Sequence, residues 1–272
     1  MKLLVRSDDF GFTRAVTYGI VDGIDYGIIR NTGLFSNMPS AVLATELMKG
    51  REDKACFGID FNIVSGPSVS DPKTIPHLVD ENGLFIRSNV RLADPRFKTE
   101  EGRREMFPYD EVYREIRAQY DRFVELTGRK PGYLHGHSLN HEHYNEAIHQ
   151  VSEESGVMYS ADIVAQFPFR NLPEFRRDGV SMTKKFVIED QLYKDTNGRV
   201  KAVMNDYLGE EYVQMGGHMG YIDSELLGWT SLSLERMRDL EMVMDPEIIK
   251  WVKDNDIQLI TYYDLVEELK NR

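Results

Sequence analysis

The chain has 272 residues, enough for one large domain over residues 1–272, and its 33 lysine and arginine residues face 45 aspartate and glutamate residues, a formal net charge of −12. A surface this acidic repels phosphate backbones and so argues against nucleic acid as a partner, whereas a neutral sugar would not be repelled. The single cysteine, Cys56, excludes an intrachain disulfide, and we expect it to be a small buried apolar residue in a reducing compartment.

The first predicted element is a short buried strand at residues 2–6, which stops at a polar tip, residues 7–9 (SDD). This N-terminus lacks the long apolar stretch and the small-residue cleavage site of a signal peptide. No apolar run in the sequence reaches the roughly 20 residues of a membrane span. We therefore expect a cytoplasmic protein with no membrane partner.

Helices and strands then alternate along the chain. Helices are predicted near residues 13–26, 41–49, 110–127, 144–155, 233–244, 245–255 and 263–270, and strands near residues 32–37, 54–63, 132–135 and 257–261. We interpret residues 65–97 as a long functional loop, residues 156–213 as weaker strands and loops, and residues 214–222 as a glycine-rich segment. The alternation predicts parallel βαβ units.

Polar residues recur at the ends of the predicted strands. In folds built from parallel βαβ units, the residues at the carboxyl ends of the strands line the active site. The residues at or just beyond predicted strand ends are Asp8, Asp9, Asp60, His135, His137 and His218. Their shared placement predicts one common site.

Asp8 and Asp9 put two carboxylates at the tip of the first strand. Because successive strand residues point to opposite faces, we expect the two to have different roles, one as a metal ligand and the other as a base. The alternative is that one of them caps the following helix.

Histidines are concentrated after the strand at residues 132–135, where His135, His137, His141 and His143 lie close together. Imidazole is a common metal ligand and the usual proton carrier near neutral pH. The segment lacks the cysteines of a zinc finger and the spacing of HExxH. Exposed loop histidines are the alternative.

Two further polar residues and a set of aromatic residues are weaker candidates taken singly. Asp60 after a strand also suits a turn, as does His218 between glycines. Tyr262, Tyr263 and Trp229 could line a sugar site, although core packing accounts for most such rings.

Five segments carry short motifs in order along the chain: residues 7–11 (SDDFG), 58–63 (GIDFNI), 78–85 (LVDENGLF), 135–139 (HGHSL) and 218–221 (HMGY). They resemble the ADDFG, GxHxN, LvdxxGxF, DSHxH and HPGY motifs of the YdjC-like carbohydrate deacetylases. Further matching positions are Glu115, Gln119, Phe123, Thr127, Gly128, Pro131, Arg236, Leu240 and residues 257–262. The matches cover nearly the whole chain.

This resemblance implies a distorted (β/α) barrel of the glycoside hydrolase/deacetylase type, with fewer than eight regular units. It also implies hydrolysis of an N-acetyl group from a small amino-sugar oligosaccharide such as diacetylchitobiose. Carried over by position, a divalent metal would lie on Asp9, Asp60 and His137, with Asp8 as general base and His218 as acid. The resemblance further suggests a homodimer.

Four more residues are candidates for substrate binding: His135, His141, Tyr221 and Arg236. Of these, His135 or His141 could instead supply a substitute metal ligand.

Several positions depart from the family's pattern. Asp60 stands where the family has histidine, His135 and Leu139 replace the first Asp and the last His of DSHxH, and Met219 replaces the proline of HPGY. Two carboxylates and one imidazole form a harder ligand set, which favours Mg over Zn or Mn. The departures keep a sugar-binding relative without catalysis open, and the His135-x-His137 pair keeps a metal-dependent phosphoesterase open.

Overall fold

The computed structural model describes residues 1–139, 141–172 and 195–272. Part of the region expected to hold weaker strands and loops, residues 173–194, lies outside the described residues. The strands are β1 (Lys2–Phe10), β2 (Asn31–Leu34), β3 (Cys56–Phe61), β4 (Leu134–Gly136), β5 (Arg170–Asn171), β6 (Tyr212–Gly217) and β7 (Gln258–Ile260).

The α-helices are α1 (Arg14–Asp25), α2 (Ala41–Met48), α3 (Ser88–Ala93), α4 (Glu100–Met106), α5 (Tyr109–Thr127), α6 (Glu142–Ser155), α7 (Ser160–Ala165), α8 (Thr196–Val203), α9 (Ser224–Trp229), α10 (Leu234–Val243), α11 (Pro246–Asp254) and α12 (Tyr262–Lys270). Short 3₁₀ turns occur at Pro72–Thr74, Pro95–Lys98 and Met204–Tyr207. Within the described ranges, no helix is long and apolar enough to cross a lipid bilayer.

All strand pairings in the sheet are parallel, and the strand order is β4-β3-β2-β1-β6-β5 with β7 also paired to β1. One edge of β1 pairs with β6 from Lys2 to Ser7. The other edge pairs first with β7, from Lys2 to Leu4, and then with β2 from Arg6 onward. The prediction of a parallel α/β fold with fewer than eight regular units is confirmed: the described residues form a sheet of seven strands that curls into part of a barrel.

Side chains of β1 alternate between two buried apolar clusters. Leu3 belongs to the large cluster that packs most of the helices, whereas Leu4 belongs to a smaller cluster that includes Tyr262. Because strand side chains alternate, Arg6 follows Leu4 on the same face. Its Nη1 donates to the Tyr262 hydroxyl at 3.2 Å. The smaller cluster therefore forms the floor beneath the polar end of β1.

Most predicted elements are present, with bounds shifted by a few residues. The glycine-rich segment at residues 214–222 differs, because its first half belongs to strand β6, and the short helix α9 beyond it was not predicted. Gly216 and Gly217 pair with residues 6 and 7 of β1. Tertiary pairing thus overrides the weak strand propensity of glycine. Cys56 is fully buried, as predicted.

Asn31, at the start of β2, joins the strands that share one edge of β1. Its buried side-chain amide donates to the carbonyl oxygens of Val5 and Ile260, each at 3.1 Å. Its Oδ1 accepts from the backbone amide of Tyr262 at 2.9 Å. The side chain therefore fills the gap where β7 ends and β2 begins.

We predict that Asn31→Ala lowers the free energy of unfolding by about 3 kcal/mol, because three buried hydrogen bonds are lost together. Urea denaturation monitored by circular dichroism measures the change. Asn271→Ala, at an exposed position near the C-terminus, is the matched control and should change stability by less than about 0.5 kcal/mol. Equal stability of the two variants would contradict the role of Asn31.

Candidate functional site

A cavity of about 400 Å³ lies at the carboxyl ends of β1 and β6. The polar side chains in its wall include Arg6, Asp8, Arg87, Ser88, Asn89, His137, His218, Glu235, Arg236 and Asp239. Phe12 and Trp229 add aromatic surface to the same wall. The cavity therefore brings together groups from strand ends, from the loop at residues 65–97 and from the C-terminal helices.

A β-bulge in β1 places both aspartates of the strand tip at this site. Ser7 pairs with Thr32 but Phe10 pairs with Leu34, so β1 has one extra residue in this stretch. Asp9 has a φ of 71°, in the left-handed region that aspartate tolerates better than most residues. The bulge replaces the simple alternation of a regular strand, so adjacent carboxylates can serve one site.

Asp9 is fully buried, and its two carboxylate oxygens contact Arg236 and His137. Its Oδ2 lies 2.6 Å from Nη2 of Arg236, and its Oδ1 lies 3.0 Å from Nδ1 of His137. Burial by itself would raise the pKa of Asp9, but His137 and Arg236 hold that pKa well below its usual range. The carboxylate therefore stays ionised and fixes the orientation of His137.

Asp8 points into the cavity beside a second arginine. Nε of Arg6 lies 2.7 Å from Oδ1 of Asp8, and Nη1 of Arg6 lies 3.1 Å from Nδ1 of His135. Burial opposes ionisation of Asp8, yet the charge of Arg6 lowers its pKa below the usual value. Burial and the charge of Arg6 lower the pKa of His135 to about 3, so this imidazole is neutral near pH 7.

Asp60, near the end of β3, is fully buried beneath the bulge. Its Oδ2 accepts the backbone amide of Asp9 at 2.9 Å, which ties β3 to the bulged segment. A Cβ atom at Gly33 would lie 1.9 Å from Oδ1 of Asp60, so this carboxylate needs glycine at that point of β2. Burial and the negative charge of Asp8 raise the pKa of Asp60 well above its usual range.

One group of described residues could hold a metal ion: Asp8, Asp60 and His135 each offer an atom within 4.8 Å of the others. Within this group, Oδ1 of Asp60 and Oδ1 of Asp8 are buried and accept no hydrogen bond from the described residues. Buried carboxylate oxygens normally have a partner. A divalent cation would satisfy such oxygens, so the donor set fits a metal.

The set expected from the motifs, Asp9, Asp60 and His137, is arranged differently. Asp9 and His137 contact each other at 3.0 Å, and the second oxygen of Asp9 is taken by Arg236. Asp60 reaches Asp9 through the backbone amide of that residue. Asp60 is thus common to both possible ligand sets.

His218 lies just past β6 in the wall of the cavity. Its backbone amide donates to Oδ2 of Asp239 at 3.2 Å, and Oδ1 of Asp239 accepts from the Thr196 hydroxyl at 3.1 Å. Burial lowers the pKa of His218, which favours its neutral imidazole. The side chain is a candidate proton carrier with a fixed backbone position.

The segment predicted as a loop, residues 65–97, contains helix α3 and the 3₁₀ turn Pro72–Thr74, is held against helix α5 and reaches the cavity. Both carboxylate oxygens of buried Glu115 accept backbone amides of this loop, from Val69 at 3.0 Å and from Ser70 at 2.9 Å. Beyond that anchor, Arg87 and Asn89 lie in the cavity wall. The position of these residues in the cavity wall is consistent with the interpretation of this segment as functional.

Two candidate substrate-binding residues lie away from the cavity wall. His141 caps helix α6, where its Nδ1 accepts the amide of Tyr144, and its ring stacks on Phe107. The hydroxyl of Tyr221 donates to Asp22 on the protein surface. Both side chains therefore have structural partners in this structure.

The structure also shows where the helix cap and the aromatic candidates lie. The alternative in which Asp8 or Asp9 caps helix α1 is wrong, because the N-cap is Thr13. Trp229 lines the cavity, whereas Tyr262 is buried below Arg6. Core packing therefore accounts for Tyr262.

Arg6 and Gly33 are site residues that the sequence interpretation missed. Arg6 lies two positions before Asp8, and the period of two in a strand already indicates a shared face. Gly33 interrupts a predicted strand, which is a known sign of a close approach by a neighbouring group. Both signals were present in the sequence, but their partners at Asp60 and His135 are distant in the chain.

Comparison with known proteins gives consistent matches over the whole chain. A family model described as YdjC-like protein matches residues 2–254. Carbohydrate deacetylase 2 of Listeria innocua is 30% identical over 272 residues, covering 97% of this chain and 99% of that protein. Chitooligosaccharide deacetylase of Proteus mirabilis is 26% identical, covering 97% and 98% of the two chains.

A solved structure has the same fold. It belongs to an Enterococcus faecalis V583 protein that is named as a candidate cellobiose-phosphate cleavage protein. The TM-score is 0.74 at 21% sequence identity, and the alignment covers 97% of this chain and 98% of that one.

We predict that Gly33→Ala lowers the free energy of unfolding by about 1–3 kcal/mol, because the new methyl group and the Asp60 carboxylate cannot occupy the same space. Chemical denaturation measures the effect. Gly228→Ala is the matched control, since a Cβ atom there would meet nothing within 4 Å. If Gly33→Ala were as stable as this control, the tight contact with Asp60 would not constrain the site.

Proposed function

The chain belongs to the YdjC-like protein family, and we propose that it is a metal-dependent carbohydrate deacetylase, acting as a single domain over residues 1–272. Its substrate would be a small amino-sugar oligosaccharide such as diacetylchitobiose. The observation that carries the proposal is the convergence of three carboxylates and three imidazoles at one end of the sheet. Asp8, His137 and His218 line the cavity. Behind them, Asp60 and His135 converge on Asp8, and Asp9 contacts His137. Relatives named as carbohydrate and chitooligosaccharide deacetylases support the same reaction.

Asp8, Asp60 and His135 would hold the metal, because these are the side chains whose ligand atoms converge. This differs from the Asp9, Asp60 and His137 set implied by the motifs. Two carboxylates and one imidazole favour a hard ion, and we propose Mg ahead of Mn and Zn. When bound, such an ion polarises the acetyl carbonyl and makes water more acidic.

His137 and His218 would move the protons in this proposal. Asp9 holds Nδ1 of His137 at 3.0 Å and leaves its other ring nitrogen to accept a proton from the attacking water. His218 would pass a proton to the leaving amine. Because burial lowers its pKa, His218 would be neutral at the start, and the proton that it delivers would be the one that His137 took from the attacking water.

The walls of the cavity suit a neutral, partly apolar ligand such as a sugar. Trp229 offers a ring face for sugar CH groups, and Ser88 and Asn89 offer hydrogen-bonding groups from the loop at residues 65–97. The cavity of about 400 Å³ falls within the range of small-molecule sites.

The expected activity is release of acetate from diacetylchitobiose, lost on treatment with a chelator and restored by a divalent ion. Asp60→Asn should lower kcat/KM by about 10²-fold or more, because the buried carboxylate would no longer attract the ion. Asp254→Asn, an exposed position on helix α11, is the control and should retain wild-type activity. Failure to release acetate with Mg, Mn, Zn or Co from this and related N-acetyl sugars would refute the proposal.

The two ligand sets can be separated by calorimetric titration of metal into His135→Ala and His137→Ala. We expect about a tenfold or greater loss of affinity in His135→Ala and a smaller loss in His137→Ala. Because both residues lie in the same site, the comparison controls for general damage to the cavity. The opposite order would favour the Asp9, Asp60 and His137 set.

A second candidate function is sugar binding without catalysis. The observation that favours it is Arg6, whose guanidinium group contacts both Asp8 and His135. Calorimetric binding of diacetylchitobiose without any acetate release would support this alternative, and turnover would remove it.

The family resemblance also supports a cytoplasmic homodimer. Light scattering of the purified chain at several concentrations would measure the oligomeric state.

A further inference from the structure

Arg6 contacts two of the three side chains that we propose as metal ligands. Its Nε lies 2.7 Å from Oδ1 of Asp8, and its Nη2 donates to Oδ2 of Asp8 at 3.3 Å. Its Nη1 lies 3.1 Å from Nδ1 of His135. A monovalent cation from the protein itself therefore lies where a divalent ion would need those same atoms.

The contact with His135 has a definite chemical meaning. A guanidinium group has donors but no acceptor, so Nη1 of Arg6 must donate to a lone pair on Nδ1. The Ser160 hydroxyl lies 2.7 Å from the same nitrogen. A neutral imidazole then carries its hydrogen on Nε2 and has no second lone pair in the ring plane. While Arg6 is in place, His135 has no free nitrogen with which to bind a metal.

The contact with Asp8 is governed by charge more than by directed hydrogen bonds. Nε of Arg6 and Oδ1 of Asp8 are close, yet neither forms a well-directed hydrogen bond. Oδ1 of Asp60, the third member of the group, also accepts no hydrogen bond, but unlike Asp8 this carboxylate forms no ion pair with any described residue. Asp60 is therefore ready to bind a cation, whereas Asp8 and His135 are already engaged.

We propose that Arg6 is a resident cation that competes with the divalent metal for Asp8 and His135, and so sets the metal affinity of this site. The inference rests on the proposed function, because it concerns the same ligand group. In the metal-free protein Arg6 compensates the charge of Asp8. On metal binding the guanidinium gives up Asp8 and His135 and keeps the hydroxyl of Tyr262, which it contacts at 3.2 Å.

The test compares metal affinity by calorimetry in the wild-type chain, Arg6→Met and Arg87→Met, each titrated with Mg, Mn and Zn. Arg6→Met should bind the same ion about tenfold more tightly or better, since no guanidinium has to be displaced. Arg87→Met is the control, because it removes one positive charge from the same cavity wall without touching Asp8. Its affinity should stay within about twofold of wild type.

Thermal unfolding gives a second readout on the same variants. Without metal, Arg6→Met should have a lower Tm than wild type, because Asp8 is left partly buried without its cation. Saturating metal should then raise the Tm of Arg6→Met by more than it raises that of wild type. If Arg6→Met does not fold, Arg6→Lys takes its place, since it keeps the positive charge but lacks the planar guanidinium group. The metal affinity of Arg6→Lys should lie between that of wild type and the roughly tenfold tighter binding expected for Arg6→Met.

Each outcome decides the inference. If Arg6→Met binds metal more tightly than wild type and Arg87→Met does not, the inference is supported. The same holds if wild type binds no ion measurably. Equal affinity in wild type and Arg6→Met overturns it and leaves the metal-dependent function standing. A similar gain in Arg87→Met overturns it as well, because cavity charge in general would explain the effect. If no variant binds any ion, both the inference and the metal-dependent function fail.

Discussion

Repulsion among three carboxylates, two buried and one partly buried, is the constraint on which this site depends. Asp8, Asp9 and Asp60 lie together at the carboxyl end of the sheet, where little water can screen their charges. The protein meets this constraint in three ways. Arg236 and His137 stabilise the charge of Asp9, Arg6 compensates Asp8, and burial and the charge of Asp8 raise the pKa of Asp60. Asp60, which forms no ion pair with any described residue and whose Oδ1 accepts no hydrogen bond, is the carboxylate best placed to bind a divalent ion.

The backbone makes this accumulation of charge possible. A regular strand would send two adjacent aspartates to opposite faces, but the bulge between Ser7 and Phe10 adds a residue and turns Asp9 towards Arg236. Gly33 on the next strand leaves room for Asp60, whose Oδ2 then accepts the amide of Asp9. The buried carboxyl of Asp60 therefore links the two features, because it needs the space at Gly33 and accepts the amide of the bulged Asp9.

These contacts also position the two histidines that line the cavity. His137 is oriented by Asp9, and His218 is fixed through the contact of its backbone with Asp239. Both imidazoles line the cavity, as do residues of the loop that Glu115 anchors to helix α5. The strand ends thus provide the carboxylates and imidazoles, while residues 65–97 and the segment around Trp229 provide the surface that a sugar would contact.

The sequence by itself determined the fold class, the central position of polar residues at strand ends, and the burial of Cys56. Period-two and helical patterns are local, and the carboxyl ends of parallel strands meet at one edge, so Asp8, Asp60 and His218 could be placed at one site without coordinates. The same local patterns could not show that the strand before His218 continues through Gly216 and Gly217, because these glycines pair there only with β1. They also could not show which arginine forms an ion pair with which aspartate. Arg236 reaches Asp9 from 227 positions along the chain, and His135 meets Arg6 from 129 positions away. Charge pairing depends on distance in space, and the tertiary structure alone decided it.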